Sequence, residues 1–161
     1  STNIQADEFT FVQGITYTEA REIALGLYNS NFYQLAGKAQ EVADERAEKI
    51  TEDFLNKLKN ENPDGFTKAQ DPDFQHALFT VQKEYARTGD EDLGDLLVDL
   101  LVDRSKQEKR NILQIVLNES LSVAPKITDD QLAALAIIFF TKYTQNNQIG
   151  NHEYLALPPT Y

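Results

Sequence analysis

The chain has 161 residues and 41% hydrophobic content, enough for one cooperative core and too little for two ordinary domains. Its 26 acidic residues against 15 basic ones leave a formal net charge of −11, which repels a phosphate backbone and removes counterion release as a driving force, so nucleic acid is not an expected partner. Cysteine is absent, which removes disulfides, thiolate nucleophiles and the usual zinc ligands, and no apolar run approaches the ~18 residues of a membrane span.

Residues 1–15 read as a short extended N-terminal arm. Phe9 and Phe11 alternate with Glu8, Thr10 and Val12 up to Gly14, the period of a strand. The chain beyond Gly14 is helical in period, so such a strand has few sheet partners in its own domain. An unpaired edge carrying two phenylalanines invites a second chain. The expectation is a homo-oligomer formed through the arm, with Ile4, Phe9 and Phe11 in the contact.

The remainder predicts an all-α fold of about six helices in a compact bundle, with a helical domain over 16–145 and a tail, or the start of a further segment, over 146–161. "TYTE" at Thr16–Glu19 fits a capping box and starts a helix that runs to about Asn29. Phe32 to about Asn60 places Phe32, Leu35, Ala36, Ala39, Val42, Ala43, Ala47, Ile50, Phe54 and Leu58 on one stripe, the mark of a long amphipathic helix. "NENPDG" breaks it. Asp71 followed by Pro72 predicts the start of a third helix, and Gly89 its end.

"DEDLGDLLVDLLVDR" at Asp90–Arg104 is a fourth helix. At 100° per residue Asp92, Asp95, Asp99 and Asp103 share an arc of roughly 80°, and almost everything outside it is leucine or valine. A helix buried on most sides needs one wet stripe, and these aspartates supply it. The same stripe is a candidate docking face for a basic protein partner. A cation site is a further alternative: Asp95 and Asp99 can share an ion, but a hard ion needs more oxygens from another helix.

"SKQE" at Ser105–Glu108 predicts a capping box for a fifth helix through Ile112, Leu113, Val116 and Leu117. Pro125 interrupts the chain, and "TDDQ" at Thr128–Gln131 starts a sixth. Its body, "LAALAIIFF", is apolar all round, so a central, buried position is expected. The ending "PPTY" matches a short proline-rich ligand of WW domains, a pattern that a proline-containing terminus also explains.

Catalytic signatures are missing. There is no glycine-rich phosphate loop and no serine in a nucleophile elbow, and neither His76 nor His152 sits in a recognisable constellation. No catalytic residue, cofactor or metal ligand is assigned.

Three stretches taken together carry a resemblance: "STNIQA" from Ser1, "YTEAREIAL" from Tyr17 and "LGDLLVDLLVDRSKQEKRNILQIVLNESLSVAPK" from Leu93. They resemble the N-terminal region of an uncharacterised bacterial family of helix-rich proteins, over most of the chain up to about Tyr143; "YLALPPTY" departs from it. The resemblance implies a bacterial, cytoplasmic protein with a further domain in related chains, and it carries over no functional residue. The expected function is a non-catalytic protein-interaction or self-association module. The alternatives are a small-ligand sensor or enzyme with a pocket between helices near His76 and Tyr85, and a cation-binding helical bundle.

Overall fold

A computed structural model of the chain describes residues 14–149, the side chains of residues 139, 140 and 142–149 excepted. The arm residues Ile4, Phe9 and Phe11, His152 and the "PPTY" ending lie outside the described residues. The described residues contain six α-helices and two 3₁₀ segments and no strand, so the fold is all-α. They divide after Pro125 into two compact units.

The first helix, α1 (Tyr17–Asn31), opens on the expected capping box. The Thr16 Oγ1 accepts from the Glu19 N–H at 3.2 Å and the Glu19 carboxylate accepts from the Thr16 N–H at 2.7 Å. The long helix α2 (Lys38–Glu61) starts later than the stripe from Phe32 predicts. Gly37, at φ 57°, turns the chain immediately before it, and only glycine enters that region without strain. Phe32 instead ends α1 and stacks on Tyr28 with ring centroids 4.7 Å apart. Its apolar surface is thereby buried without helical continuity. Val42, which the stripe places inside, is exposed.

After the 3₁₀ segment Pro63–Gln70, α3 (Pro72–Thr88) begins and ends as its residues dictate. The Asp71 carboxylate accepts from the N–H groups of Asp73 and Phe74, Pro72 occupies the first turn, and Gly89 closes the helix in the left-handed region at φ 64°. The Arg46 guanidinium packs on Gly89 and donates to the Ala86 carbonyl at 3.3 Å, one of the carbonyls left free at that helix end.

The aspartate-rich helix is α4 (Glu91–Ser105), capped by Asp90. The predicted box at Ser105 does not form: Ser105 is the last residue of α4, and its hydroxyl donates back to the Val102 carbonyl at 2.6 Å. The helix α5 (Ile112–Val123) begins six residues further on, where Asn111 Oδ1 accepts from the Gln114 N–H at 2.8 Å. Either residue type caps well. Ser105 was already committed, because Leu101 and Val102 beside it are fully buried and hold that turn in α4.

The first unit is a helical bundle whose core joins Ile50, Phe54, Leu55 and Leu58 of α2 to Phe74, Leu78, Val81 and Tyr85 of α3 and to Leu97, Leu101 and Val102 of α4. Ala20 and Ala24 let α1 approach closely. One polar bridge crosses this core. The buried Gln82 amide donates to the Ala24 carbonyl and to the Thr51 hydroxyl, both at 2.9 Å, and thereby links α1, α2 and α3.

The second unit contains α6 (Asp129–Ile149), which starts where "TDDQ" predicts, with Thr128 and Gln131 forming a reciprocal capping box. Its composition predicts a buried centre, yet Leu132, Leu135, Ile137 and Ile138 are 39–67% exposed. The second unit has no other described helix against which α6 could bury these side chains.

Gly94 decides how closely α4 lies on α3. A Cβ at Gly94 would stand 2.8 Å from the Tyr85 ring, and Tyr85 is buried. Helix propensity alone favours alanine there by about 1 kcal/mol. Overpacking against a ring with nowhere to go costs more, so Gly94→Ala should lower the unfolding free energy in urea by about 1–2 kcal/mol net. An unchanged or raised midpoint would show that the α3–α4 contact is loose.

Candidate functional site

Asp92, Asp95, Asp99 and Asp103 are brought together on one exposed face of α4, as the 100° spacing requires, while Leu97, Val98, Leu101 and Val102 are buried behind them. Much of the stripe is engaged within the chain. Lys49 of α2 pairs with Glu91 at 2.9 Å, Lys57 pairs with Asp99, and Lys106 pairs with Asp103 at 2.9 Å and with Glu61 at 3.1 Å. The first two pairs share a sequence offset of 42, so α2 and α4 run in the same direction and present rungs of one ladder. Asp92 and Asp95 make no ion pair among the described residues.

These contacts shift the groups that make them. Glu91 first, then Asp53 and Tyr85, raise the Lys49 ammonium above its usual range, and Lys49 in turn lowers the Glu91 carboxyl. Asp99 raises Lys57. Such pairs are solvent-exposed and screened, so they set register more than stability. Asp53, Asp95 and Asp99 line a groove of about 460 Å³ together with Lys57, but no group of three or more acidic or histidine side chains among the described residues is arranged to hold a metal ion.

A residue without any sequence assignment holds the strongest electrostatic position. Arg104 is completely buried. Its Nη2 donates to Asp73 at 2.5 Å, its Nε donates to Asn118 Oδ1 at 2.9 Å, and its guanidinium lies 5.9 Å from the centre of the Phe74 ring. The Asp73 carboxylate also accepts from Gln114 and Asn118, each at 3.1 Å. The cluster joins α3, α4 and α5. Arg104, then Asn118, hold the Asp73 carboxyl below the usual carboxylate range. A signal for this was present: at 100° per residue Arg104 falls inside the leucine arc of α4, at about 120° from Asp92.

His76 and Tyr85 are nine residues apart on α3 and so face opposite sides of it, by about 180°. His76 is exposed to a degree that Tyr85 is not; Tyr85 is buried and its hydroxyl donates to Glu91 at 2.8 Å. A cleft of about 620 Å³ lies elsewhere, beside the 3₁₀ segment, lined by Asn62, Gly65, Lys68, Ser105 and Lys106 among others. Several of its polar groups are occupied: Asn62 donates to Ser105, Lys68 to the Gln107 carbonyl, and Lys106 to Asp103 and Glu61, while the Asp64 and Glu108 carboxylates are unpaired among the described residues.

The feature least explained by the fold is on α5. Leu117 and Leu121 are buried, while Ile112 is 81% exposed and Leu113, Ile115, Val116 and Val123 are 44–51% exposed. These five lie within an arc of about 160°, an aliphatic face shared with Glu119 and Ser120.

Truncating the two ends of the buried ion pair should have unequal effects. Asp73→Ala should cost about 3 kcal/mol, because it leaves a buried guanidinium without its counter-charge; Arg104→Met should cost less, because Asp73 is half exposed and water can hydrate it. Urea denaturation of both variants tests this, and an equal or larger loss in Arg104→Met would contradict it. The cluster also makes stability depend on pH. Since the folded state lowers the Asp73 pKa, the unfolded chain binds more protons near pH 4, so this contribution is present at neutral pH and is lost as pH falls through and below about 4. The acid limb of the stability curve should therefore be shallower in Asp73→Ala than in the parent protein, and superimposable limbs would contradict the assignment.

No helix among the described residues is long and apolar enough to cross a membrane. No curated protein and no solved structure matches the chain. The sequence model of an uncharacterised protein family matches residues 14–158 of the 161, and the chain belongs to that family.

Proposed function

We propose that the chain is a non-catalytic association module, which assembles through apolar helix surface rather than through a reactive pocket. The observation that carries this reading is the exposed aliphatic face of α5. Ile112, Leu113, Ile115, Val116 and Val123 together expose on the order of 500 Å², the size at which an apolar patch on a soluble protein is usually a binding surface. The arm residues Ile4, Phe9 and Phe11 are a further candidate contact in such an assembly. Asp92 and Asp95, without ion pairs among the described residues, are the part of the stripe open to a basic protein partner. A cytoplasmic location, a bacterial source and a place at the N-terminal end of longer relatives belong to the same reading.

The sensor or enzyme alternative is less well supported, because His76 and Tyr85 face apart and Asn62, Lys68 and Lys106 in the 620 Å³ cleft are already paired. The cation-bundle alternative lacks a cluster of donors among the described residues.

Sedimentation velocity of the full chain over a range of concentrations tests the module. The parent protein should sediment above its 18.3 kDa monomer mass, and Ile112→Ser with Val116→Ser should return it to the monomer with unchanged helical circular dichroism. Asp92→Lys with Asp95→Lys serves as the control and should leave self-association intact. An assembly state that ignores the two serines would defeat the α5 reading.

A further inference from the structure

We propose that the partner of the α5 face is a second copy of this chain, with the two α5 helices packed antiparallel about a two-fold axis near Val116. This rests on the reading of α5 as an association surface and adds the occupant and its orientation.

Charge selects this occupant. A chain at −11 repels its own copies over most of its surface. Ile112–Val123 contains a single ionisable residue, Glu119, so this face carries little charge to repel a second copy. Glu119 is exposed, and at about −20° from Ile112 it stands in the middle of the aliphatic arc. Covering the face with a purely apolar surface would bury that carboxylate unpaired, which costs several kcal/mol. The occupant must therefore bring a cation to one defined point.

This chain carries one at the right place. Lys109 and Arg110, exposed just before α5, make no ion pair among the described residues, and with Glu108 they leave this short stretch at +1. In an antiparallel pair centred on Val116, residues whose numbers sum to 232 lie opposite one another. The N-cap Asn111 of one copy then lies level with position 121 of the other, two residues or roughly 3 Å along the axis from Glu119, and Arg110, the residue before that cap, can extend its side chain to the carboxylate across helices 8–10 Å apart. The two-fold axis repeats the contact, so both carboxylates are neutralised. A parallel arrangement would set Glu119 beside Glu119 and leave both arginines at one end. The pairing is self-complementary, as a two-fold interface requires.

Charge exchange in the full chain tests it, read by sedimentation equilibrium at low salt. Glu119→Arg and Arg110→Glu should each weaken the dimer by about tenfold or more, since each juxtaposes like charges. Combined in one chain they should restore the parent dissociation constant to within about threefold, because the pair is re-formed with its signs reversed. Both substituted positions are exposed, and circular dichroism checks that the variants stay folded. Additive losses in the double variant, or single variants without effect, would overturn the antiparallel pairing. If Ile112→Ser with Val116→Ser still abolished the dimer, the α5 surface would survive that failure with a different partner geometry. A parent protein that is monomeric at all concentrations, with the serine pair lowering its melting temperature, would mean that the face is covered within the chain and would overturn both.

Discussion

A completely buried guanidinium is the constraint around which α3, α4 and α5 are arranged. Arg104 has left water, so its charge must be matched at fixed points, and Asp73, Asn118 and the Phe74 ring supply them from two other helices. Asp73 in turn stands in the first turn of α3, where the helix dipole favours a carboxylate, and takes two further donors from α5. Packing against a leucine-rich helix is tolerant of small rotations; a guanidinium with directional partners is not. The cluster therefore sets the rotation of α5, and with it which side of α5 turns outward.

That rotation places Leu117 and Leu121 inside and leaves Ile112, Val116 and Val123 outside. A twelve-residue helix with aliphatic side chains over most of its circumference can bury only one side against a bundle. Its polar residues are unusually distributed: Gln114 and Asn118 are turned toward the Asp73–Arg104 cluster, which uses polar side chains on the inner face and displaces aliphatic ones to the outer face. The exposed apolar surface and the buried ionic cluster are thus two consequences of one arrangement. The acidic stripe of α4 has a different origin. Glu91 and Asp99 meet Lys49 and Lys57 of α2 at matched spacing, so part of what reads as a free charged face serves to align α4 with α2.

Local signals in the chain translated well where they were self-contained. Thr16 with Glu19, Asp71 with Pro72, Gly89, and Thr128 with Gln131 each specify a helix end by contacts within four residues, and each forms. The same kind of signal failed at Ser105, where buried neighbours carried α4 through the cap, and at Phe32, where an apolar residue in helical register is buried by a turn instead. The aspartate arc was legible because helical geometry fixes it. Arg104 stands in the leucine arc, but its role is not legible there, because its counter-charge lies 31 residues away, a separation that no local pattern encodes.

The sequence by itself determined the fold class, most helix ends and the face on which the four aspartates lie, since each depends on period and on contacts a turn apart. Tertiary structure alone decided that Lys57 of α2 neutralises part of that face, that Arg104 is buried against Asp73, and which side of α5 is turned into the core of the first unit. Those outcomes depend on which helices lie beside each other, and that is set by burial and by directional hydrogen bonds between residues far apart in the chain.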